Sequence, residues 1–368
     1  MNNIQPAIQH YRSLFNQSEH VMVRHAKRSM KQRLQSLADN LSTDDEPDLY
    51  GSGKLIESFE QDVAQLLGKE AALFLPSGTQ AQPIALRIWA DQARTPYVAL
   101  PATSHVHIHE ENAYQVLYQL KGCTLGDADQ IPQLDDLKHA ANDPLAAILL
   151  ELPMREIGGQ LPSWEALQEQ SDWAREQGIK LHMDGARLWQ CPSYYGKSLA
   201  EISALFDSVY VSFYKDLGGI AGAVLAGDAD FISKAKIWQR RVGGNLYALY
   251  PYILAAKQGL EHYLPKMPVY LKHCHSFAPV LNATQGVSTW PKTPQTNMFR
   301  LRIEADPERF LAKASQWVEQ NKIAILPPPY KVTNGQLWFE LSFGEGYETL
   351  MPEQWREHWR DFSTFVLS

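Results

Sequence analysis

The sequence predicts an α/β fold: a mostly parallel sheet covered by helices, followed by a smaller C-terminal α+β unit. Three observations carry this. Short apolar runs alternate with helical stretches through the middle of the chain, the runs are apolar on both faces, and the pattern changes after about residue 255. Buried apolar strands between helices are what a parallel sheet covered on both faces requires. The 368 residues are too many for one small domain and hold ample material for a large core.

In chain order, residues 7–40 read as helical, with Ile8, Tyr11, Phe15, Met30, Leu34 and Leu37 at helical spacings. The acidic turn from Ser42 to Pro47 ends this segment. Leu55, Phe59, Val63, Leu66 and Leu67 then mark an amphipathic helix stopped by Gly68. The strand candidates are Ala72–Leu75, Tyr97–Leu100, Ala146–Glu151, Lys180–Asp184, Val209–Phe213 and Gly222–Ala226. Beyond them come strands at Met298–Ile303 and Leu337–Ser342, with helices at Pro307–Glu319 and Pro352–Val366. This divides the chain into an N-terminal helical segment (1–45), a large α/β domain (46–255) and a small α+β domain (256–368). No Gly/Ser linker separates the last two.

A formal charge of −7 without a long basic run speaks against nucleic acid or an acidic membrane as partner. Cys123, Cys191 and Cys274 are scattered and form no CxxC pair, so neither a disulfide framework nor a zinc site is indicated. No apolar run approaches the length of a membrane span, and the polar N-terminus lacks a secretory signal. A cytoplasmic protein acting on a small molecule fits these limits.

Four short segments could carry chemistry. Lys215 follows the apolar strand and precedes Gly218, Gly219 and Gly222; a buried strand end would favour its neutral, nucleophilic amine. It could equally be a surface lysine beside Asp216. Asp184 ends another apolar strand, with Arg187 three residues on. In open α/β sheets ligands sit at the carboxyl ends of strands, so Asp184 and Lys215 can face one pocket; the bland alternative makes Asp184 a helix cap. Ser77, Gly78 and Thr79 lie between a strand and a helix, where free N–H groups make a phosphate site or an ordinary helix start. Ser212 is a further phosphate donor. The run from Ser104 to Glu110 contains His105, His107 and His109. On a strand these three would share one face, as metal ligands do in some hydrolases, with His182 or Asp184 completing the set. The other reading is one functional histidine and two incidental ones.

An amine, a carboxylate, a phosphate cradle and a flat ring are what pyridoxal phosphate (PLP) chemistry needs. In order, the residues resemble the threonine aldolase / β-eliminating lyase family of fold-type-I PLP enzymes. The match runs through Asp48-Leu-Tyr-Gly51, the stretch from Gly68 to Thr79, Ser104-His-Val106 with Glu110, and Gly158-Gly159. It continues through His182-Met-Asp-Gly-Ala-Arg187, Lys215 with its glycines, Arg240-Arg-Val-Gly-Gly244 and Thr296-Asn-Met298. The resemblance implies that Lys215 binds the cofactor covalently, Asp184 binds its ring nitrogen and His105 stacks on the ring. Ser77, Gly78, Thr79 and Ser212 would hold the phosphate, Arg187 the substrate carboxylate or ring hydroxyl, and Tyr50 would lie near the substrate. No metal is implied. It further implies retro-aldol cleavage of a β-hydroxy-α-amino acid to glycine and an aldehyde, with a base near His105 taking the hydroxyl proton, and a homodimer or homotetramer. β-Elimination from an amino acid is the alternative activity, and a metallohydrolase the more distant one.

The chain departs from the family in four places. The Arg-Ser-Asp-Thr opening is missing from the first 45 residues. Met154 stands where the family has histidine, Tyr247 where an arginine is usual, and Glu340 where a carboxylate-binding arginine aligns. Arg155 is the candidate replacement.

Overall fold

The computed structural model describes residues 4–42 and 44–368. Its contacts form two compact units: Met30–Glu156 with Leu161–Lys266, and Met1–Ser29 with Ile157–Gln160 and Met267–Ser368. Numbered along the chain, the strands begin with β1 (His20–Val21), β2 (Ala71–Leu75), β3 (Tyr97–Pro101), β4 (Lys121–Leu125) and β5 (Ala147–Glu151). Next come β6 (Lys180–Gly185), β7 (Ser208–Ser212), β8 (Ala223–Gly227) and β9 (Val287–Trp290). The last are β10 (Met298–Glu304), β11 (Ile323–Ala324), β12 (Lys331–Thr333) and β13 (Gln336–Ser342).

The larger unit is built on a seven-stranded sheet of order β2-β8-β7-β6-β5-β3-β4. Only β8 runs against its neighbours; the remaining pairs are parallel. It follows that β2, β3, β5, β6 and β7 all end on the same edge. Every residue of β5, β7 and β8 is buried, which accounts for their largely apolar character. Edge strand β4 escapes the sequence reading because Lys121, Gly122 and Thr124 are exposed, leaving no apolar run to detect.

Helix Lys54–Leu67 buries Ile56, Phe59, Val63 and Leu67 and ends at Gly68, whose φ of +63° suits glycine. Phe59 meets Phe74 of β2 at 5.9 Å and Phe213, just past β7, at 5.3 Å. Helix Gly78–Ala93 is buried along most of its length. Its Trp89 stacks on Phe231 at 4.5 Å and donates its indole N–H to Ser208 Oγ on β7.

In the smaller unit the antiparallel sheet β12-β13-β10-β9 turns Phe299, Leu301 and Ile303 of β10 into the core with Leu337, Phe339 and Leu341 of β13. Helices Pro307–Asn321 and Pro352–Leu367 cover them with Phe310, Trp317, Trp355 and Phe362. The N-terminal helix Ile4–Gln17 belongs here. Its predicted face of Ile8, Tyr11 and Phe15 joins this core, and the Tyr11 hydroxyl donates to the Leu326 carbonyl at 2.8 Å. Then β1 pairs in parallel with β11.

Residues 7–40 are therefore not one helical stretch: β1 interrupts them, and helix resumes at Met30–Ala38 in the other unit. There Leu37 is buried while Met30 and Leu34 are exposed. The contacts part at Ser29 and Lys266, where the sequence suggested 45 and 255, because the first helix finds its apolar partners in the C-terminal core. In the acidic turn after Leu41, Thr43 lies outside the described residues. Among the described residues no helix is long and apolar enough to cross a membrane.

Glu60 is buried in the face that helix Lys54–Leu67 lays on the sheet, and its Oε1 accepts from the Phe74 amide at 2.7 Å. Burial outweighs that hydrogen bond and lifts its pKa to about 7. A carboxyl raised in the folded state favours folding below its ordinary pKa and loses that contribution as pH rises through the folded value. Glu60→Gln, which can still accept from Phe74, should gain stability relative to wild type between about pH 5 and pH 8. Thermal melts across that range check it; a pH-independent difference would mean that Glu60 does not titrate this way.

Candidate active site

Five segments converge because five strands end on one edge of the sheet. The end of β2 leads to Ser77–Thr79, β3 to His105, β5 stops at Glu151, β6 carries Asp184, and β7 leads to Lys215. The register sets Glu151, Asp184 and Tyr210 side by side on β5, β6 and β7.

Asp184 is 1 % exposed. Gln82 Nε2 donates to its Oδ2 at 2.6 Å and the Ala186 amide to its Oδ1 at 3.0 Å. It is thus no cap for a following helix; the next element is the three-residue turn Leu188–Gln190. Beside it, Glu151 is raised well above the ordinary carboxyl range, by burial first and by the Asp184 charge second. Two neighbouring buried carboxyls do not both ionise readily, and Glu151 is the one held toward its neutral acid form.

Lys215 lies past the end of β7. Burial and then the Arg187 guanidinium push its amine below the usual lysine value, against the pull of Asp184. Asp216 turns elsewhere and accepts from Gln190 Nε2 at 2.8 Å. The loop closes through Gly222, whose φ of +109° and proximity to the Phe74 ring leave no room for a side chain.

At the end of β2, Ser77 caps the sixteen-residue helix, accepting from the Thr79 amide at 3.2 Å. A Cβ on Gly78 would stand 2.0 Å from the Tyr210 hydroxyl, so the backbone there can only be glycine. Ser212 is fully buried and donates its hydroxyl to the Ala186 carbonyl at 2.8 Å.

The histidine run is a helical turn, His105–Ile108, with His109 closing it. That overturns the shared strand face. His105 and His109, four apart, lie together with ring centroids 5.1 Å apart, while His107 turns to the Tyr114 hydroxyl. His182 is buried inside the sheet, its Nδ1 2.8 Å from Ser208 Oγ, and burial lowers its pKa to about 3. Among the described residues no three His, Cys, Asp or Glu side chains converge as a metal would require.

Tyr50 stands apart from this cluster. Its φ is +49°, its amide donates to the Tyr247 carbonyl at 2.9 Å, and the two rings meet edge-on at 5.3 Å. Asp48 anchors the same segment by accepting from the Leu249 amide. Met154 is buried at the end of the β5 loop. In the smaller unit Glu340 pairs in register with Arg300 on β10, whose guanidinium lies over the Tyr330 ring at 4.3 Å. The cation at that level of the sheet is thus one strand over from the aligned position.

Four further participants carry no role that the sequence assigned them. Gln82 is one turn beyond Gly78, and helical spacing alone would have put it on the same face. Glu110 is buried and holds His105 Nδ1 at 2.9 Å, Glu151 flanks Asp184, and Glu156 binds His109. Among the described residues the Ser104 hydroxyl and the second oxygens of Glu110 and Glu151 are buried without a partner. Unsatisfied polar atoms around a buried carboxylate and a lysine of lowered pKa fit a polar aromatic cofactor at this edge.

Fold and site together define a fold-type-I PLP-dependent lyase. A family model described as beta-eliminating lyase matches residues 29–304, and the chain belongs to that family. Among solved structures it is similar to a putative L-allo-threonine aldolase of Listeria monocytogenes EGD-E, with 39 % identity, TM-score 0.94, and 98 % of this chain and 100 % of that one covered. A putative aromatic amino acid beta-eliminating lyase/threonine aldolase of Exiguobacterium sp. 255-15 is 38 % identical, with TM-score 0.91 and coverage of 96 % and 99 %. Low-specificity L-threonine aldolase 1 of Arabidopsis thaliana is 29 % identical over 296 residues, 78 % of this chain and 82 % of that protein.

Removing the Asp184 carboxylate strips the site of the buried group that Gln82 and the Ala186 amide hold in place. Asp184→Ala is expected to weaken PLP binding and cut turnover by at least about 100-fold. Titration with PLP followed by steady-state assay checks it, and near-wild-type behaviour would reduce Asp184 to an anchor for Gln82.

Proposed function

We propose that the protein cleaves a β-hydroxy-α-amino acid such as threonine or allo-threonine to glycine and an aldehyde. The observation that carries this reading is the pairing of Lys215, an amine of lowered pKa, with a buried, hydrogen-bonded Asp184 at one sheet edge. When bound, PLP supplies an aldehyde for the substrate amine and a cationic ring that draws electrons from Cα.

The chain's own groups divide the remaining work. Lys215 offers the amine that holds the cofactor and yields to the substrate. Asp184, kept in place by Gln82 and the Ala186 amide, keeps a proton on the ring nitrogen. His105, oriented by Glu110, would stack on the face of the cofactor ring. The N–H groups of Gly78 and Thr79 with the Ser77 hydroxyl receive the phosphate at a helix N-terminus. Ser212 joins them if its hydroxyl turns from Ala186. Arg187 receives the substrate carboxylate.

Tyr50 also belongs near substrate in this reading, through a second copy of the chain. Leu49, Tyr50, Leu246, Tyr247 and Tyr250 are exposed. Apolar residues gathered on one surface support a homodimer or homotetramer that covers them. Three free cysteines support a reducing, cytoplasmic setting.

Two experiments test the reading. Borohydride reduction of the PLP-loaded enzyme followed by peptide mapping should mark Lys215, and a label on any other lysine would sink it. The second compares threonine, allo-threonine and phenylserine for glycine release with serine and cysteine derivatives for pyruvate. Arg187→Lys should lower kcat/KM for glycine release by about 10- to 100-fold with PLP still bound, because a bidentate contact is lost. Pyruvate without glycine would make the enzyme a β-eliminating lyase instead.

A further inference from the structure

Retro-aldol cleavage needs a proton acceptor at the β-oxygen, and Met154, where the family has histidine, cannot be one. The helical turn supplies another. It sets His109 one turn after His105, with ring centroids 5.1 Å apart at an angle of 51°. His109 Nε2 lies 3.2 Å from Glu156 Oε1, and the same oxygen accepts from Arg155 Nη1 at 2.8 Å. A carboxylate at Nε2 fixes the tautomer with its proton there and leaves Nδ1 with a lone pair. His105 is committed the opposite way, with Nδ1 toward Glu110. At the other end of this chain, the Arg155 charge bears on both Lys215 and Glu151.

From this geometry we infer that His109 is the base that takes the β-hydroxyl proton, and that Glu156 positions it. The inference rests on the aldolase reading above. In the step, the substrate O–H bond breaks and its proton passes to His109 Nδ1. The O–H electrons form the C=O bond of the departing aldehyde as the Cα–Cβ bond breaks; that bond's electron pair stays on Cα, which takes a proton from solvent to give glycine. His109⁺ then returns the proton to solvent, for which its side-chain exposure of 40 % provides a route. His107 is excluded because it turns to Tyr114.

The same holoenzyme catalyses a reaction with no β-oxygen, the exchange of glycine's α-proton with solvent, and this separates chemistry from architecture. His109→Ala should lower glycine release from threonine or phenylserine by about 100- to 10,000-fold in kcat. Exchange of the glycine α-proton, followed by NMR in D2O, and the cofactor's absorbance and affinity should stay within about threefold, a bound well below the loss expected of a missing base. Added imidazole should restore part of the His109→Ala cleavage rate. Glu156→Gln should lose less than His109→Ala and should not respond to imidazole. Cleavage by His109→Ala at near the wild-type rate would overturn the proposal and leave Lys215 or water as the base. Parallel loss of cleavage and exchange would overturn it as well, making His109 a support for His105. Wild type that exchanges glycine but cleaves no β-hydroxy-amino acid would fell the aldolase reading and this inference with it.

Discussion

Asp184 is a carboxyl buried where a charge would be expensive, and the larger unit is arranged around that cost. A buried carboxylate persists as an anion only where hydrogen bonds and opposite charge offset its lost hydration. Gln82 and the Ala186 amide supply the hydrogen bonds here. The arrangement propagates outward. Gln82 must sit one turn into helix Gly78–Ala93, which brings the helix start against Tyr210 and obliges residue 78 to be glycine. Glu151, adjacent in register, is pushed well above the ordinary carboxyl range by burial and by Asp184.

Around that carboxyl lies a layer of groups that orient others. Glu110 holds one ring nitrogen of His105, and Glu156 holds the opposite nitrogen of His109. Each imidazole is thereby given a direction. The difference matters chemically, because a histidine whose Nδ1 is occupied presents Nε2, and one whose Nε2 is occupied presents Nδ1. The parallel strands bring these groups to one edge, and the loops that follow aim them.

The buried parts of the fold were legible because burial writes itself into composition. Strands β5, β7 and β8, enclosed on both faces, read as largely apolar runs, and the helices at 54–67, 307–321 and 352–367 showed their periodicity. Edge strand β4 carries polar residues and gave no such signal. The N-terminal segment misled for a different reason. Helical spacing at Ile8, Tyr11 and Phe15 announces an apolar face but not its partner, which lies some 300 residues away along the chain, among residues such as Phe310 and Leu326.

The site divides in the same way. Asp184, Lys215, Gly78 and His105 could be singled out from the sequence because each sits in a local pattern, a strand end, a glycine-rich exit or a helix start. Local pattern also determined which chemistry the chain could host. Whether Ser104 to Glu110 formed a strand or a helical turn was beyond it, and so were the partners of each carboxylate. Those depend on strand order and register, properties of contacts between residues such as Gln82 and Asp184 that lie 102 positions apart. Spacing along the chain fixes neighbours on one element; only the packed sheet decides which elements meet, because hydrogen-bonded register and burial are energies of pairs, not of positions.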